Sequence, residues 1–154
     1  MQVLVVEDEV LIRMLVCDLL EEAGHDCVAV VTAELALLLL AQQQYRPDIL
    51  VTDYNLGPGL DGQALVREVQ ALLPGLPTIF VTGNPDCFTE YRFEAWERLV
   101  AKPFSGEALV DAVGAVLPMP ARAVTAAAAT DGLDLRAALS RVMSGLACGD
   151  EKFA

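Results

Sequence analysis

Histidine and lysine are scarce in this sequence. Among 154 residues there is one histidine, His25, and the only lysines are Lys102 and Lys152. The four cysteines, at positions 17, 27, 87 and 148, show no CxxC spacing, and no pair of histidines is available to complete a zinc site. A zinc centre is therefore disfavoured, and we expect free, mostly buried thiols.

The sequence also lacks a hydrophobic run long enough to cross a bilayer, although 55% of its residues are apolar. The longest uninterrupted run, residues 35–41, is far shorter than the ~20 residues of a membrane-spanning helix. The amino terminus enters a strand-like run at Val3 without a basic region, a signal segment or a cleavage site. These absences favour a cytoplasmic protein without membrane insertion.

Positive charge is in short supply. Ten Lys and Arg residues stand against 22 Asp and Glu residues, which gives a formal net charge of −12. A chain so acidic, with no basic stripe, repels nucleic acid phosphates. Direct nucleic acid binding is therefore disfavoured.

Five short apolar runs alternate with segments of helical periodicity. The runs lie at 3–6, 28–31, 49–52, 78–81 and 98–101, and the helical segments at about 9–23, 33–43, 61–73, 86–95 and 105–117. We expect Thr32 to cap the second helix and the first to end at Gly24. Because the runs do not alternate with polar residues, we expect strands buried on both faces. The pattern predicts an α/β fold with an open, doubly wound, five-stranded parallel sheet.

The composition changes after Leu117. Pro118, Pro120 and four alanines predict a linker over 118–131. Within 132–154, apolar residues recur at intervals of four, three and four, and predict a short amphipathic helix; they are Leu135, Leu139, Val142 and Leu146. A helix this short is stable only when it docks, either on domain 1–117 or on a second chain in a homodimer, and the remaining alternative is a disordered tail.

Chemically active side chains stand where the predicted strands end: Glu7 and Asp8, then Asp53, Thr82 and Lys102. In an open parallel sheet, such ends meet where the strand order reverses. Three carboxylates there would raise one another's pKa unless a cation lay among them. Oxygen ligands with few protein contacts point to Mg²⁺. A hydroxyl and an ammonium can hold phosphoryl oxygens, so the set predicts a phosphoryl-transfer site.

Each residue also has an ordinary explanation. Asp8 could cap a helix, Asp53 could begin a turn, Thr82 could be a plain strand residue and Lys102 a solvated lysine. Their joint placement at the ends of four strands favours the site.

The segments VLVVEDE, ILVTDYNLG, IFVTGN and LVAKPF resemble the signature segments of response-regulator receiver domains. The resemblance covers about residues 1–117 and implies a single-domain, CheY-like protein with flavodoxin-like strand order 2-1-3-4-5 and a C-terminal helical extension. It implies that Asp53 is the phosphoacceptor and, with Asp8, a ligand of Mg²⁺. Glu7 would bind the ion through water, and Asn55 through its backbone carbonyl.

The resemblance further implies that Thr82 and Lys102 contact the phosphoryl group, with a cis peptide possible before Pro103. Gly83 would leave the site open to a donor, a histidine kinase or histidine phosphotransfer protein. The chain would then be a signalling phosphoacceptor and not an enzyme, changing its binding to a downstream protein when phosphorylated.

Three features depart from the common pattern of the family. Leu99 stands where most relatives have an aromatic switch residue, and the loop 54–62 is one residue longer than the commonest form in the family. The segment FVTGN at 80–84 is similar to a subgroup of single-domain receivers used in bacterial stress signalling. Without the aromatic switch, we expect the response to travel through 82–85 into 86–96.

Two other functions remain open. An aspartyl phosphatase of the haloacid dehalogenase type needs a second aspartate two residues after the nucleophile, and that position holds Asn55. A receiver-fold scaffold that binds partners without phosphorylation is the other alternative. No GxxxxGK[ST] motif is present, which disfavours a P-loop nucleotidase.

Overall fold

The computed structural model describes residues 1–42 and 45–116. Within them the chain forms five strands, β1 (Gln2–Val6), β2 (Asp26–Val30), β3 (Ile49–Asp53), β4 (Thr78–Thr82) and β5 (Glu97–Ala101). The helices are α1 (Val10–Glu22), α2 (Ala33–Ala41), α3 (Gly62–Leu72) and α4 (Gly106–Val116), with a short 3₁₀ helix at Pro85–Phe88. None of the helices in these ranges is long and apolar enough to span a bilayer.

The five strands form one parallel sheet in the order β2-β1-β3-β4-β5, which confirms the predicted order. The register pairs Asp53 with Val81 and Thr82 with Ala101. Lys102 follows Ala101 directly, and its N–H donates to the Thr82 carbonyl over 2.8 Å. The carboxyl ends of β3, β4 and β5 are therefore level with one another at one edge of the sheet.

The hydrophobic core lies on both faces of the central strands. On one face, alternate residues of β1, such as Val3 and Val5, join a cluster with Leu20 of α1 and Val113 of α4. The intervening β1 residue Leu4 is also fully buried, and faces the opposite side because successive strand residues alternate. This two-sided burial fixes β1, β3 and β4 at the centre of the sheet.

The expectation that every strand is buried on both faces was wrong for the two edge strands. β2 exposes Asp26, Val28 and Ala29, and β5 exposes Arg98 and Ala101. Each edge strand has only one neighbouring strand, so its side chains are less enclosed. The thiols were likewise less buried than predicted. Cys17 and Cys27 are half-buried and Cys87 is exposed, all three as free thiols.

The helix ends follow local capping rules. Thr32 Oγ1 accepts a hydrogen bond from the Leu35 N–H over 3.2 Å, as predicted. α1 ends at Glu22, shortly before Gly24. The N-cap position of α1 is Glu9 and not Asp8, so Asp8 does not serve as the helix cap.

The helix predicted over 86–95 is absent. After the 3₁₀ helix Pro85–Phe88 the chain runs irregularly to β5. Phe88, Tyr91 and Phe93 all contact the ring of Phe80, at spacings of three and two residues that one helical face cannot provide. Buried Glu97 accepts hydrogen bonds from the Tyr91 hydroxyl and a backbone N–H of this segment. Aromatic packing has therefore overridden the local periodicity.

Three predictions lie outside the described residues: the linker at 118–131, the helix within 132–154 and its homodimer contact.

Candidate functional site

The ends of β1 and β3 bring three carboxylates together. One oxygen each from Glu7, Asp8 and Asp53 lies within 4.8 Å of the other two. Glu7 and Asp53 are buried, whereas Asp8 is exposed at the rim. Glu7 Oε1 accepts from the Glu9 N–H over 3.1 Å, which holds its carboxylate over the start of α1.

Lys102 joins the carboxylates from β5. Its Nζ donates to Glu7 Oε2 and to Asp53 Oδ2, each over 2.9 Å. The lysine is half-buried and is not the solvated surface residue that it could have been. One ammonium therefore serves two buried carboxylates.

The pKa values of Glu7 and Lys102 are both raised, through burial at Glu7 and through hydrogen bonds at Lys102. Burial raises the pKa of Glu7, and the Asp53 charge raises it further, although the hydrogen bond from Lys102 opposes both. Burial alone would lower the pKa of Lys102, yet the hydrogen bonds to Glu7 and Asp53 outweigh that effect and raise it. One ammonium is thus shared by two carboxylates, and the Asp8 carboxylate lies nearby.

The donor set fits Mg²⁺. Its ligand atoms are carboxylate oxygens, which hard cations prefer, and exposed Asp8 leaves room for water. Asn55 lies at the start of the loop after β3, and its N–H donates to Asp53 Oδ1 over 3.3 Å. The residues that could hold the ion are thus Asp8, Asp53, Glu7 and the Asn55 backbone.

The remaining predicted site residues line the ends of β4 and β5. Thr82 is the last residue of β4, fully buried, and its Oγ1 accepts from the Asn84 N–H over 3.1 Å. A side chain at Gly83 would meet nothing within 4 Å, so space is open there. Leu99 is half-buried in β5, and a cis peptide joins Lys102 to Pro103.

The family profile of the response regulator receiver domain matches residues 3–114. The chain belongs to this family. Its receiver domain is 35% identical over 114 residues to the response regulator FleR of Pseudomonas aeruginosa, covering 73% of this chain and 24% of FleR. It is 36% identical over 119 residues to the two-component response regulator PhoP of the same organism, covering 76% and 52%. The chain thus spans only part of these relatives' length.

Solved structures show the same likeness. The receiver domain of NtrX from Brucella abortus superposes with a TM-score of 0.67 at 28% identity, covering 77% of this chain and 99% of that one. The receiver fold and the family are therefore established by both sequence and structure.

Two residues that no sequence pattern indicated, Arg13 and Gly62, also shape this receiver site. Arg13 of α1 donates from Nη1 to the carbonyls of Glu7 (2.8 Å) and Asp8 (3.4 Å), and so fixes the turn after β1. Gly62, at the start of α3, donates its N–H to the Tyr54 carbonyl over 2.8 Å, and a side chain there would overlap the Asp53 carbonyl. The sequence gives no signal for either contact, because both depend on the tertiary path of the backbone.

An aromatic cluster begins beside the phosphoacceptor candidate. Tyr54 follows Asp53, and its ring meets that of Phe88 edge-on at 5.5 Å between centroids. Phe88 in turn packs on Phe80 at 4.8 Å. Phe80 and Phe88 are buried in this cluster, whereas Phe93 is exposed.

Proposed function

We propose that this receiver domain accepts a phosphoryl group on Asp53, with Mg²⁺ bound among Asp8, Asp53, Glu7 and the Asn55 carbonyl. The observation that carries the proposal is the bond from Lys102 Nζ to Asp53 Oδ2, beside two further carboxylates. A buried carboxylate that shares a cation with its neighbours offers a nucleophile whose charge can be balanced as a phosphoryl group arrives.

The transfer itself needs little from the protein beyond positioning. An Asp53 carboxylate oxygen forms a bond to phosphorus while the bond from phosphorus to the donor's imidazole nitrogen breaks, leaving the electron pair on that nitrogen. Bound Mg²⁺ supplies neutralising positive charge. Lys102 exchanges its contact with Asp53 for one with a phosphoryl oxygen. The Thr82 hydroxyl, which accepts the Asn84 N–H before transfer, donates to a second phosphoryl oxygen afterwards.

The donor is a histidine kinase or a histidine phosphotransfer protein. Support comes from α1, which begins two residues after Asp8 and carries an exposed apolar face. That face consists of Val10, Leu11, Met14 and Leu15, of which Leu11 is 75% exposed. Apolar surface beside a reactive site is the kind that helical partners cover.

Phosphorylation changes the binding of a downstream protein. We expect the response to run from Thr82 through Pro85 into the segment 86–96, because Leu99 cannot act as an aromatic switch. The Tyr54–Phe88 contact offers a second connection from Asp53 to the same segment. The cytoplasmic location and the stress-signalling subgroup remain predictions.

The phosphatase alternative is weakened because Asn55, and not an acid, lies beside Asp53. A constitutive scaffold remains the contrasting function. Beryllofluoride, a phosphoryl mimic, separates the two. With Mg²⁺ we expect a bound fluorine NMR signal in the parent protein and none in Asp53→Asn, and slower amide exchange in 82–96. A parent that gives no bound signal with Mg²⁺ would favour the scaffold.

A further inference from the structure

The loop between β3 and α3 passes over the carboxylate site. Two of its residues have positive φ, Gly57 at +74° and Gly59 at +113°. Residues with side chains rarely adopt these angles, so glycine is needed for this path. The outer part of the loop, residues 57–60, is therefore built for one particular conformation.

Glu34, in the first turn of α2, holds that outer part from outside the loop. Its Oε1 accepts from the Leu60 N–H over 3.0 Å. A Cβ at Gly59 would lie 2.5 Å from the same oxygen, so the carboxylate approaches this closely only because residue 59 is glycine. Across residues 1–42 and 45–116, no other hydrogen bond ties residues 57–60 to another element.

The first residue of this outer part, Gly57, lies near a proposed metal ligand. The position of a Cβ at Gly57 is 3.5 Å from Asp8 Oδ2, which is ordinary contact distance. Asn55, earlier in the same loop, donates to Asp53 Oδ1. One short stretch of chain thus connects Glu34 at its far end with the surroundings of Asp8 and Asp53 at its near end.

We propose that Glu34 is a positioning residue for the metal site. By anchoring Leu60, it keeps Gly57 against Asp8 and keeps Asn55 in place before the ion arrives. Without the anchor, the loop would have to be ordered when the ion binds, and that loss of conformational entropy would weaken the affinity. The inference rests on the proposed function, because it concerns the Mg²⁺ site of the phosphoacceptor.

The hydrogen bond and the charge of Glu34 can be separated. Glu34→Gln keeps an acceptor oxygen for the Leu60 N–H but removes the negative charge, whereas Glu34→Ala removes both. Glu107 is a matched control, since it is an exposed acid in the first turn of another helix, α4. If positioning is the role of Glu34, the glutamine variant should resemble the parent.

Two measurements on the full chain test the proposal. Amide hydrogen exchange on metal-free protein should show faster exchange at Leu60 in Glu34→Ala, with Glu34→Gln and Glu107→Ala close to the parent. Calorimetric titration with Mg²⁺ should give a Kd raised about three- to tenfold in Glu34→Ala, as expected from losing one hydrogen bond.

An unchanged Mg²⁺ Kd in Glu34→Ala would overturn the proposal, and so would a glutamine variant as weak as the alanine variant, because the charge would then be responsible. Circular dichroism melts confirm that each variant is folded. The affinity is measured without any phosphodonor. A parent that binds Mg²⁺ and responds to Glu34→Ala, yet is never labelled, would refute the proposed function and still support the role of Glu34.

Discussion

The Nζ atom of Lys102 lies 2.9 Å from Oδ2 of Asp53, although Asp53 ends β3 and Lys102 follows β5, which is not a neighbouring strand. β4 lies between β3 and β5, and the lysine reaches across its end, where Thr82 is the last residue. The Lys102 ammonium is therefore within reach of a phosphoryl group on Asp53, and Thr82 ends the strand between the two residues. The strand order, and not closeness in sequence, creates this arrangement.

Replacing Lys102 should slow phosphorylation strongly. In Lys102→Met, the carboxylates of Glu7 and Asp53 lose their shared cation and no ammonium meets the phosphoryl oxygens. We expect the labelling rate constant to fall about 10- to 100-fold, which corresponds to one charge-assisted hydrogen bond. Time-resolved intact mass spectrometry measures this rate constant, with Arg98→Met on β5 as the control. Equal rates in the two variants would contradict the role of Lys102.

Asp8→Asn should weaken Mg²⁺ binding. Asp8 is the exposed member of the three-carboxylate group, and an amide is a poorer ligand for a hard cation than a carboxylate. We expect at least about a tenfold rise in Kd by calorimetry, the scale on which changes at metal sites usually act. Asp18→Asn, on the exposed face of α1, is the control. An Asp8 variant that binds the ion as tightly as the control would remove Asp8 from the ligand set.

Two glycine-to-alanine changes should have opposite effects. At Gly62 the added methyl group overlaps the Asp53 carbonyl, so Gly62→Ala should destabilise the fold by about 1–3 kcal/mol and slow labelling. At Gly114, an exposed position in α4 with nothing within 4 Å, Gly114→Ala should stabilise by about 1 kcal/mol. Urea unfolding gives both values. Stabilisation by both changes would show that the loop after β3 can shift freely.

The segment that replaces the expected helix should depend on Tyr91. Its hydroxyl donates to Glu97 Oε1 over 3.0 Å, and Glu97 is only 3% exposed. Tyr91→Phe leaves a buried carboxylate oxygen without this donor and should cost about 1–3 kcal/mol in urea unfolding. Tyr45→Phe should change stability by less than about 0.5 kcal/mol, because the Tyr45 hydroxyl is buried without a partner among the described residues.

The Tyr91→Phe variant also tests the pH dependence of stability. Burial, followed by the Glu97 charge, raises the pKa of Tyr91 above its ordinary value. In the unfolded chain tyrosine ionises at about pH 10, so the stabilisation from the Tyr91 hydroxyl should be complete below that pH. It should be lost as the pH rises toward the pKa of Tyr91 in the folded protein. The stability difference between the parent and Tyr91→Phe should shrink above about pH 10. A difference that grows there would contradict this contact.

The strands, four helices and strand-end residues could be predicted from the sequence because each depends on a local pattern. Apolar runs mark β1 to β5, and parallel strands necessarily bring their carboxyl ends to one edge. The irregular segment at 89–96 could not be predicted, because it depends on Phe88 and Tyr91 packing on the Phe80 ring of β4. The contact of Glu34 with Leu60 was equally hidden, since the two residues are 26 positions apart in the sequence.

The most direct test of the account is covalent labelling of Asp53. Three proteins are incubated with acetyl phosphate: the parent, Asp53→Asn and an Asp111→Asn control on α4. Each is tested once with Mg²⁺ and once with a chelator, and its mass is measured by intact mass spectrometry. We predict a gain of one phosphoryl mass in the parent and in Asp111→Asn with Mg²⁺ only, and none in Asp53→Asn. A parent that gains no mass, or an Asp53→Asn variant that gains it equally, would contradict phosphoryl acceptance at Asp53.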